Sequence, residues 1–360
     1  MNNKSMIAKK MISFVMILTF AISLFVSPSF SVKSYATSNK NVVVVIDPGH
    51  GGTGDRNLGA QYNGLSEKEL TLQLANILKA ELEKYEGITV YQTRTTDVLM
   101  SLEDRAAFAK NVNADFVFSI HFNASAEHLF YGSEVWTSTF GSYYQNGYNF
   151  GQIVSSEWSG LGLYQKGVKT RIGSSGKDYY GIIRQCVARN LPCVILEHAY
   201  IDQGNDVSLV KSNNFIARLA QADATAIAKY YGLKSKTLGT DYSGFTYKSV
   251  KKPSGKLYQD ETGPDQCNIK ILGYDVTSGN ILVELTAADK QSPVIYFSYS
   301  YDGGKTFCPL QMWDRTKPTQ SFNVKVPSGT TNPTIVVKAY NNYEKEAASA
   351  PATVNASFKY

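Results

Sequence analysis

Two of the four histidines in the chain, and one glutamate, stand at the ends of apolar runs that are typical of buried strands. His50 follows the run Val42–Ile46 after a short turn, whereas His121 and Glu197 come directly after their runs. Because the carboxyl ends of parallel strands meet at one edge of a sheet, we expect these side chains to lie close together. A histidine at such an edge is a candidate metal ligand or acid–base group.

Glu67 adds a second carboxylate to this group. It stands three residues before Leu70, which begins the apolar stripe of a predicted helix. Ser66 and Glu69 have the spacing of a capping box, so Ser66 is the predicted N-cap. A carboxylate on the buried side of a helix start needs a cation or hydrogen-bond donors, although it can also simply benefit from the helix dipole. The spacing alone leaves both interpretations of Glu67 open.

These residues include the donor set of a catalytic metal centre. A lone histidine at a strand end is more often structural than catalytic. Two histidines and two carboxylates at one sheet edge favour a functional site instead. Two imidazoles, one carboxylate and an open fourth position make a catalytic zinc site. The other carboxylate is then available as a general base and acid.

The segments between these residues predict an α/β domain over residues 40–233. Strand-like runs alternate with helical periodicity, which is the pattern of a mostly parallel sheet covered by helices. Arg105 falls near the inner face of one predicted helix, where we expect it to form a structural ion pair. The polar stretch Leu163–Tyr180 is predicted to be a surface loop near the substrate.

The C-terminal part of the chain has a different pattern. Residues 234–264 show no sustained hydrophobic period and are predicted to be a linker. Residues 265–360 contain short strand-like runs without helices, which predicts a small all-β sandwich of immunoglobulin-like type. Each predicted domain holds two cysteines, and the sequence leaves their disulfide state open. They are Cys186, Cys193, Cys267 and Cys308.

The N-terminus predicts export. Lysines precede an apolar run from Met11 to Val26, and Ser34 and Ala36 have the small-residue spacing of a cleavage site, so residues 1–36 are interpreted as a signal peptide. We therefore expect a secreted, wall-associated protein that is not inserted in a membrane after cleavage. The net charge of +6 suits an anionic wall polymer. The sequence contains no nucleic-acid-binding motif, and we expect a monomer.

Five short motifs around the candidate site occur along the chain in a fixed order. They are Asp47-Pro48-Gly49-His50-Gly51-Gly52, Glu67-Lys68-Glu69, Thr93-Arg94, Ser119-Ile120-His121-Phe122-Asn123 and Leu196-Glu197. This ordered set resembles the zinc-dependent N-acetylmuramoyl-L-alanine amidases of the amidase-3 type. The resemblance covers about residues 42–233, which is nearly the whole predicted catalytic domain.

The resemblance implies that zinc is held by His50, Glu67 and His121, and that Glu197 is the catalytic carboxylate. It also implies that the substrate is peptidoglycan, cut at the amide between the lactyl group of N-acetylmuramic acid and the first L-alanine of the stem peptide. The family commonly has a small residue after the catalytic glutamate, where this chain has His198. The alternation of strand faces predicts that His198 points away from Glu197.

Two other functions stay open at this point. One is a different secreted zinc hydrolase of the wall, such as a carboxypeptidase, and the ordered motifs favour the amidase over it. The other is a non-catalytic wall-binding protein on the same fold, which the intact set of candidate site residues disfavours. Arg171 and Arg184 are candidate substrate contacts that the spacing does not establish.

Overall fold

The structure, a computed structural model, describes residues 31–33, 41–54 and 57–355, with side chains described from residue 41 onward. The predicted signal peptide, residues 1–36, lies outside these residues apart from Ser31–Lys33, whose backbone forms a short strand. Among the described helices, none is both long enough and apolar enough to cross a membrane.

A six-stranded sheet organises the first part of the chain. In chain order the elements up to residue 231 are β1 (Ser31–Lys33), β2 (Val42–Pro48), β3 (Gln61–Tyr62), β4 (Leu65–Ser66), α1 (Glu67–Leu82), β5 (Ile88–Gln92), α2 (Leu102–Asn111), β6 (Phe116–Asn123), β7 (Ser133–Thr137), α3 (Gly141–Ser159), β8 (Gln165–Thr170), α4 (Gly181–Val187), β9 (Cys193–Tyr200), α5 (Gly204–Val210) and α6 (Phe215–Tyr231). The strand order of the sheet is β5–β2–β6–β9–β7–β8. The first four of these strands are parallel, whereas β7 is antiparallel to β9 and parallel to β8.

Helices cover both faces of this sheet, as the sequence predicts. Helices α1, α3 and α6 pack on one face, where Phe116, Phe118 and Phe150 are part of one continuous buried cluster. Helices α2 and α4 pack on the other face around Val45 and Ile195. Because the central strands are buried on both sides, their sequences are almost continuously apolar. The prediction of a mostly parallel, helix-covered sheet is confirmed.

The stretch Leu163–Tyr180 contains an edge strand, β8, so the prediction of a surface loop is wrong over that strand. Lys166 and Lys169 in β8 are buried. Their ammonium groups lie 3.3 Å and 2.6 Å from Glu134 Oε2 of β7. Lysines are almost never fully buried unless they are paired. The two charged residues therefore indicate an exposed segment, whereas the structure buries both side chains.

The remaining elements are strands. They are β10 (Lys234–Ser235), β11 (Thr240–Asp241), β12 (Tyr247–Ser249), β13 (Gln266–Asp275), β14 (Asn280–Ala288), β15 (Val294–Ser300), β16 (Gln311–Met312), β17 (Thr319–Lys325), β18 (Thr334–Asn341), β19 (Glu346–Ala348) and β20 (Ala352–Thr353). One antiparallel sheet has the order β13–β14–β17, and the other has β16–β15–β18–β19 with β20 paired to β18. The two sheets share one buried core. The predicted all-β sandwich is confirmed.

The segment 234–264 lies against the first part of the chain. Tyr242, Phe245 and Tyr247 pack on the cluster beneath α1, α3 and α6. Strand β12 also pairs with β1. The domain boundaries at residues 233 and 264 stay predictions. All four cysteines of the described chain are free thiols.

The sandwich contacts the edge of the central sheet through the turn after β18. Glu344 in this turn has a left-handed backbone, with φ of 66°. Its carboxylate pairs with Lys166 and accepts a hydrogen bond from the Tyr200 hydroxyl at 2.6 Å. Lys169 Nζ donates to the backbone carbonyl of Asn342 at 2.9 Å. The sandwich thus supplies part of the polar surroundings of both buried lysines.

The Glu344 carboxylate makes this contact sensitive to acid. Burial by itself would raise the pKa of Glu344, but the charges of Lys166 and Lys169 outweigh burial and hold the pKa at about 2, below the usual 4.5. A depressed pKa in the folded state means that the ionised carboxylate stabilises the protein fully above the unfolded pKa. That stability is lost as the pH falls from about 4.5 toward 2.

We predict that Glu344→Gln lowers the free energy of unfolding at pH 7 by about 1.5–3 kcal/mol, because bonds to a charged partner are weakened. The difference from the native sequence should shrink as the pH falls below about 4.5. Urea unfolding of the full chain across this pH range measures both effects.

Glu346→Gln is the matched control. Glu346 pairs with Lys338 at 2.8 Å, but its side chain is 46% exposed, so its loss should cost less than about 1 kcal/mol. Equal losses in the two variants would contradict the assigned role of Glu344.

Candidate active site

Strand β2 ends in a turn whose backbone is fixed by two arginines. His50 in this turn has a left-handed backbone with φ of 61°, a conformation that costs roughly 1–3 kcal/mol. Arg94 Nη2 donates to the carbonyl of Gly49 at 2.8 Å, and Arg105 Nη2 donates to the carbonyl of His50 at 2.6 Å. These bonds hold the strained turn and fix the position of the His50 imidazole.

The carboxylate of Asp47 anchors one of these arginines. Arg105 Nη1 lies 2.7 Å from Asp47 Oδ1, which confirms the predicted ion pair. Thr93 and Ser119 donate their hydroxyls to the same carboxylate at 2.6 Å and 2.8 Å. Both members of the pair are buried. The charges are therefore compensated by close bonds rather than by solvent.

Three side chains converge beside this turn. Glu67 Oε1 lies 3.1 Å from His50 Nε2 and 3.0 Å from His121 Nδ1. The two imidazole rings are edge to face, with centroids 5.0 Å apart. One donor atom from each residue lies within 4.8 Å of the other two, so the group can hold a metal ion.

The spacing and chemistry of these donors fit zinc. Ligand atoms at the usual zinc distances in a tetrahedral site stand roughly 3.3 Å from one another, close to the two contacts of Glu67. The second oxygen, Glu67 Oε2, accepts a hydrogen bond from the backbone of Ala60 at 2.8 Å, which fixes the orientation of the carboxylate. His50 and His121 would complete a three-ligand set with one position open.

The start of α1 explains the position of Glu67. Ser66 is the N-cap residue, but its side chain makes no capping bond to the helix, so the predicted capping box is wrong. The Ser66 hydroxyl accepts from Gln61 Nε2 at 3.0 Å instead. Glu67 is buried as the first residue of the helix. Burial would raise its pKa, but hydrogen bonds from His121 and His50 outweigh burial and lower the pKa to about 2.

Glu197 lies on the strand next to His121. In the sheet its Cα is the register partner of His121 on one side and of Glu134 on the other. Paired positions face the same side of a sheet, so these three side chains form a row. Glu197 Oε2 is buried and has no hydrogen-bond partner among the described residues. Burial raises the pKa of Glu197 well above its usual range, and the charges of Glu67 and Glu134 raise it further.

Comparison with known proteins agrees with this geometry. A family model described as N-acetylmuramoyl-L-alanine amidase, Amidase_3, matches residues 44–229, slightly more than half of the chain. The chain belongs to the Amidase_3 family. The match begins in strand β2 and ends in helix α6, so it includes all the converging residues.

Similar individual proteins carry the same description. The sporulation-specific N-acetylmuramoyl-L-alanine amidase of Bacillus subtilis is 32% identical over 199 residues, covering 54% of this chain and 69% of that protein. The amidase CwlM of Bacillus licheniformis is 30% identical, covering 53% and 70%. The solved catalytic domain of CwlV from Bacillus (Paenibacillus) polymyxa var. colistinus is 27% identical, with a TM-score of 0.45 over 54% of this chain and 99% of that one. The family match and the two curated relatives show that this chain is an amidase that acts on peptidoglycan.

The histidine that follows Glu197 in the amidase points to the opposite face, as its strand position predicts. His198 is fully buried, and its Nε2 lies 3.0 Å from Asp223 Oδ2 on α6. Its Nδ1 lies 3.0 Å from the backbone carbonyl of His121. It therefore joins strand β6 to helix α6 behind the site and stays outside the group formed by His50, Glu67 and His121.

The structure adds one carboxylate that the sequence did not single out. Glu134 is buried on β7 and accepts hydrogen bonds from Asn123 Nδ2 at 3.1 Å and Trp136 Nε1 at 3.0 Å. Its only sequence signal is one charged residue inside a short strand-like run, residues 132–138. Of the two candidate arginines, Arg184 is engaged with the backbone carbonyl of Asp178 at 2.7 Å, whereas Arg171 is exposed.

Gly49 leaves the space that the His121 ring occupies beside His50 and Glu67. A Cβ at this position would lie 2.4 Å from Cε1 of the His121 ring. We predict that Gly49→Ala displaces His121 and weakens metal binding by at least about tenfold. Metal content after dialysis of the full chain, measured by atomic emission, tests this.

Gly204→Ala is the control for that variant. No atom lies within 4 Å of a Cβ at Gly204, so its metal content should match that of the native protein. Undiminished metal in Gly49→Ala would show that His121 does not hold the ion.

Proposed function

We propose that this protein is an exported zinc-dependent peptidoglycan hydrolase. It cleaves the amide between the lactyl group of N-acetylmuramic acid and the L-alanine of the stem peptide. The observation that carries the proposal is the convergence of His50, Glu67 and His121 within 4.8 Å in a chain of the amidase family. Glu197 on the adjacent strand supplies the acid–base group.

The roles of the protein residues follow from their positions. His50, Glu67 and His121 would hold the metal. When bound, zinc lowers the pKa of a coordinated water to about 7 and polarises a carbonyl oxygen. Glu197 takes the proton of the attacking water and returns it to the departing alanine nitrogen.

The environment of Glu197 supports this role. Its Oε2 has no hydrogen-bond partner in the described chain, so a lone pair is available for proton transfer. Burial and the neighbouring carboxylates raise its pKa, which favours holding the proton after transfer. A cation on the three ligands opposes that shift, because positive charge favours the carboxylate form.

A carboxypeptidase of the wall is the nearest alternative, and product analysis separates the two functions. Mass spectrometry of purified peptidoglycan digested with the full protein should show free stem peptides that begin with L-alanine. Release of single C-terminal amino acids instead would assign the alternative. The absence of any product, with zinc bound, would favour the non-catalytic wall-binding protein.

We predict that the two carboxylates have separable effects. Glu197→Gln keeps the side-chain shape but removes the base, so turnover should fall by on the order of 10²–10⁴-fold while zinc stays bound. Glu67→Ala removes a ligand and its compensating charge, so zinc content should fall. Metal analysis and amide hydrolysis are measured side by side on both variants.

Two results of that experiment would contradict the assignment. Zinc lost from Glu197→Gln but kept in Glu67→Ala would reverse the two roles. Full activity in both variants would overturn the zinc-amidase mechanism.

Export has its own test. The lysines and the apolar run before Ser34 predict removal of residues 1–36. N-terminal sequencing of the protein from culture medium should begin close to Thr37. An intact Met1 on a membrane-bound product would show that the segment is an anchor.

A further inference from the structure

A second cavity lies beside the catalytic edge, where the sheet meets the C-terminal sandwich. Its volume is about 360 Å³. Its lining comes from the central strands and the loops that follow them, from residues 259–261, and from the turn after β18. We call it the junction pocket; its charged lining residues include Glu134, Lys169, Arg171, Glu261 and Lys345.

The junction pocket adjoins the strand of the proposed acid–base group, because Tyr200 of β9 lines it. Glu134 lines the pocket, and its Cα is the register partner of Glu197. Arg171 lies just beyond the end of the next strand, β8. Adjacent strands are about 4.8 Å apart, so the pocket extends to roughly 10 Å from the Glu197 strand. An extended peptide covers that distance with its second and third residues, at about 3.3 Å each.

The charged and aromatic side chains at the base of the pocket contact one another. Lys169 Nζ lies 2.6 Å from Glu134 Oε2 and 4.4 Å from the centroid of the Trp136 ring. Tyr180 packs on Trp136 with a centroid distance of 4.9 Å. These groups compensate one another and provide a rigid base. The polar groups open to a ligand are therefore at the rim.

The rim carries exposed charges of both signs. Arg171 comes from the catalytic sheet and rests on the Tyr179 ring at 3.7 Å, whereas Lys345 comes from the sandwich. Glu127 and Glu261 provide acidic groups on the same rim. A ligand that carries both carboxylates and an amino group complements this arrangement.

The other cavity at the catalytic edge has a different character. It has a volume of about 620 Å³ and is lined by His50, His121 and Arg105, together with the apolar residues Leu99 and Met100. Arg105 there is paired with a buried carboxylate and is not available to a ligand. This cavity therefore offers apolar surface and no unpaired lysine or arginine among its described lining residues, whereas the junction pocket offers exposed charges of both signs.

We propose that the junction pocket is a subsite for the stem peptide beyond its first alanine. It binds the second and third residues, with Arg171 and Lys345 pairing with their carboxylates and the rim glutamates pairing with an amino group. This inference rests on the proposed amidase function. It makes the C-terminal sandwich part of substrate recognition, because Lys345 belongs to that domain.

The test compares a short and a long substrate on the full-length zinc-loaded protein. The short one is N-acetylmuramoyl-L-alanine, and the long one carries the tripeptide L-alanyl-γ-D-glutamyl-diaminopimelate. Lys345→Glu should raise KM for the long substrate about tenfold with little change in kcat, and should leave the short substrate unaffected. Lys345 is exposed, so the variant should fold normally.

Lys270→Glu is the matched control, since Lys270 is an exposed lysine on strand β13 outside the pocket. It makes the same charge change on the same domain and should leave both substrates unchanged. If Lys345→Glu and Lys270→Glu behave alike on the long substrate, the subsite assignment is wrong.

A binding measurement separates this inference from the proposed function. Calorimetric titration of the free tripeptide into the native protein, Lys345→Glu and Lys270→Glu requires no catalysis. If the tripeptide binds more weakly to Lys345→Glu but not to Lys270→Glu, the subsite is supported, even if neither substrate is cleaved. Failure to cleave either substrate would overturn only the amidase function. Equal binding by all three proteins would overturn the subsite while leaving the amidase function intact.

Discussion

The buried pair between Asp47 and Arg105 is the interaction on which the catalytic edge depends. Desolvating two charges is costly, and here hydrogen bonds from Thr93 and Ser119 satisfy the remaining acceptor sites. Arg105, which Asp47 holds in place, donates to the backbone carbonyl of His50. This bond stabilises the strained left-handed backbone of His50. We interpret the pair as a means of fixing position, because replacing such pairs by apolar groups is often neutral for stability.

A second group of buried charges extends from the site to the sandwich. Glu197 and Glu134 occupy paired positions on adjacent strands, so their carboxylates would repel each other if both were ionised and unscreened. Lys169 and Lys166 stand beside Glu134 and counter its charge. Glu344 then balances the excess positive charge of the two lysines. Electrostatic compensation therefore runs continuously from Glu197 to the C-terminal sandwich.

The sequence predicted the parts of the site that depend on strand ends. His50, His121 and Glu197 follow apolar runs, and such runs identify buried parallel strands without reference to the rest of the fold. Glu67 could not be assigned from spacing, because its role depends on which way a helix start faces; its contact of 3.0 Å with His121 answers that question. The capping box failed for a related reason, since the Ser66 hydroxyl is engaged by Gln61, a tertiary detail.

Strand β8 is an element that the sequence pattern did not predict. Lys166 and Lys169 make it look like a solvent-exposed segment, and only their partners on other elements reverse that pattern. Sequence periodicity assigns each residue by its own polarity. It therefore fails where a charge is buried by pairing with residues that are distant along the chain.

The contact between Lys166 and Glu344 has a consequence for the order of folding. Its partners are separated by 178 positions, and closing a long loop costs more entropy than forming a local contact. Until the sandwich has docked, Lys166 lacks one of its two counter-ions, and the edge of the central sheet is incompletely neutralised. The cavity between the sheet and the sandwich also lacks one wall before docking, so we expect it to form late in folding.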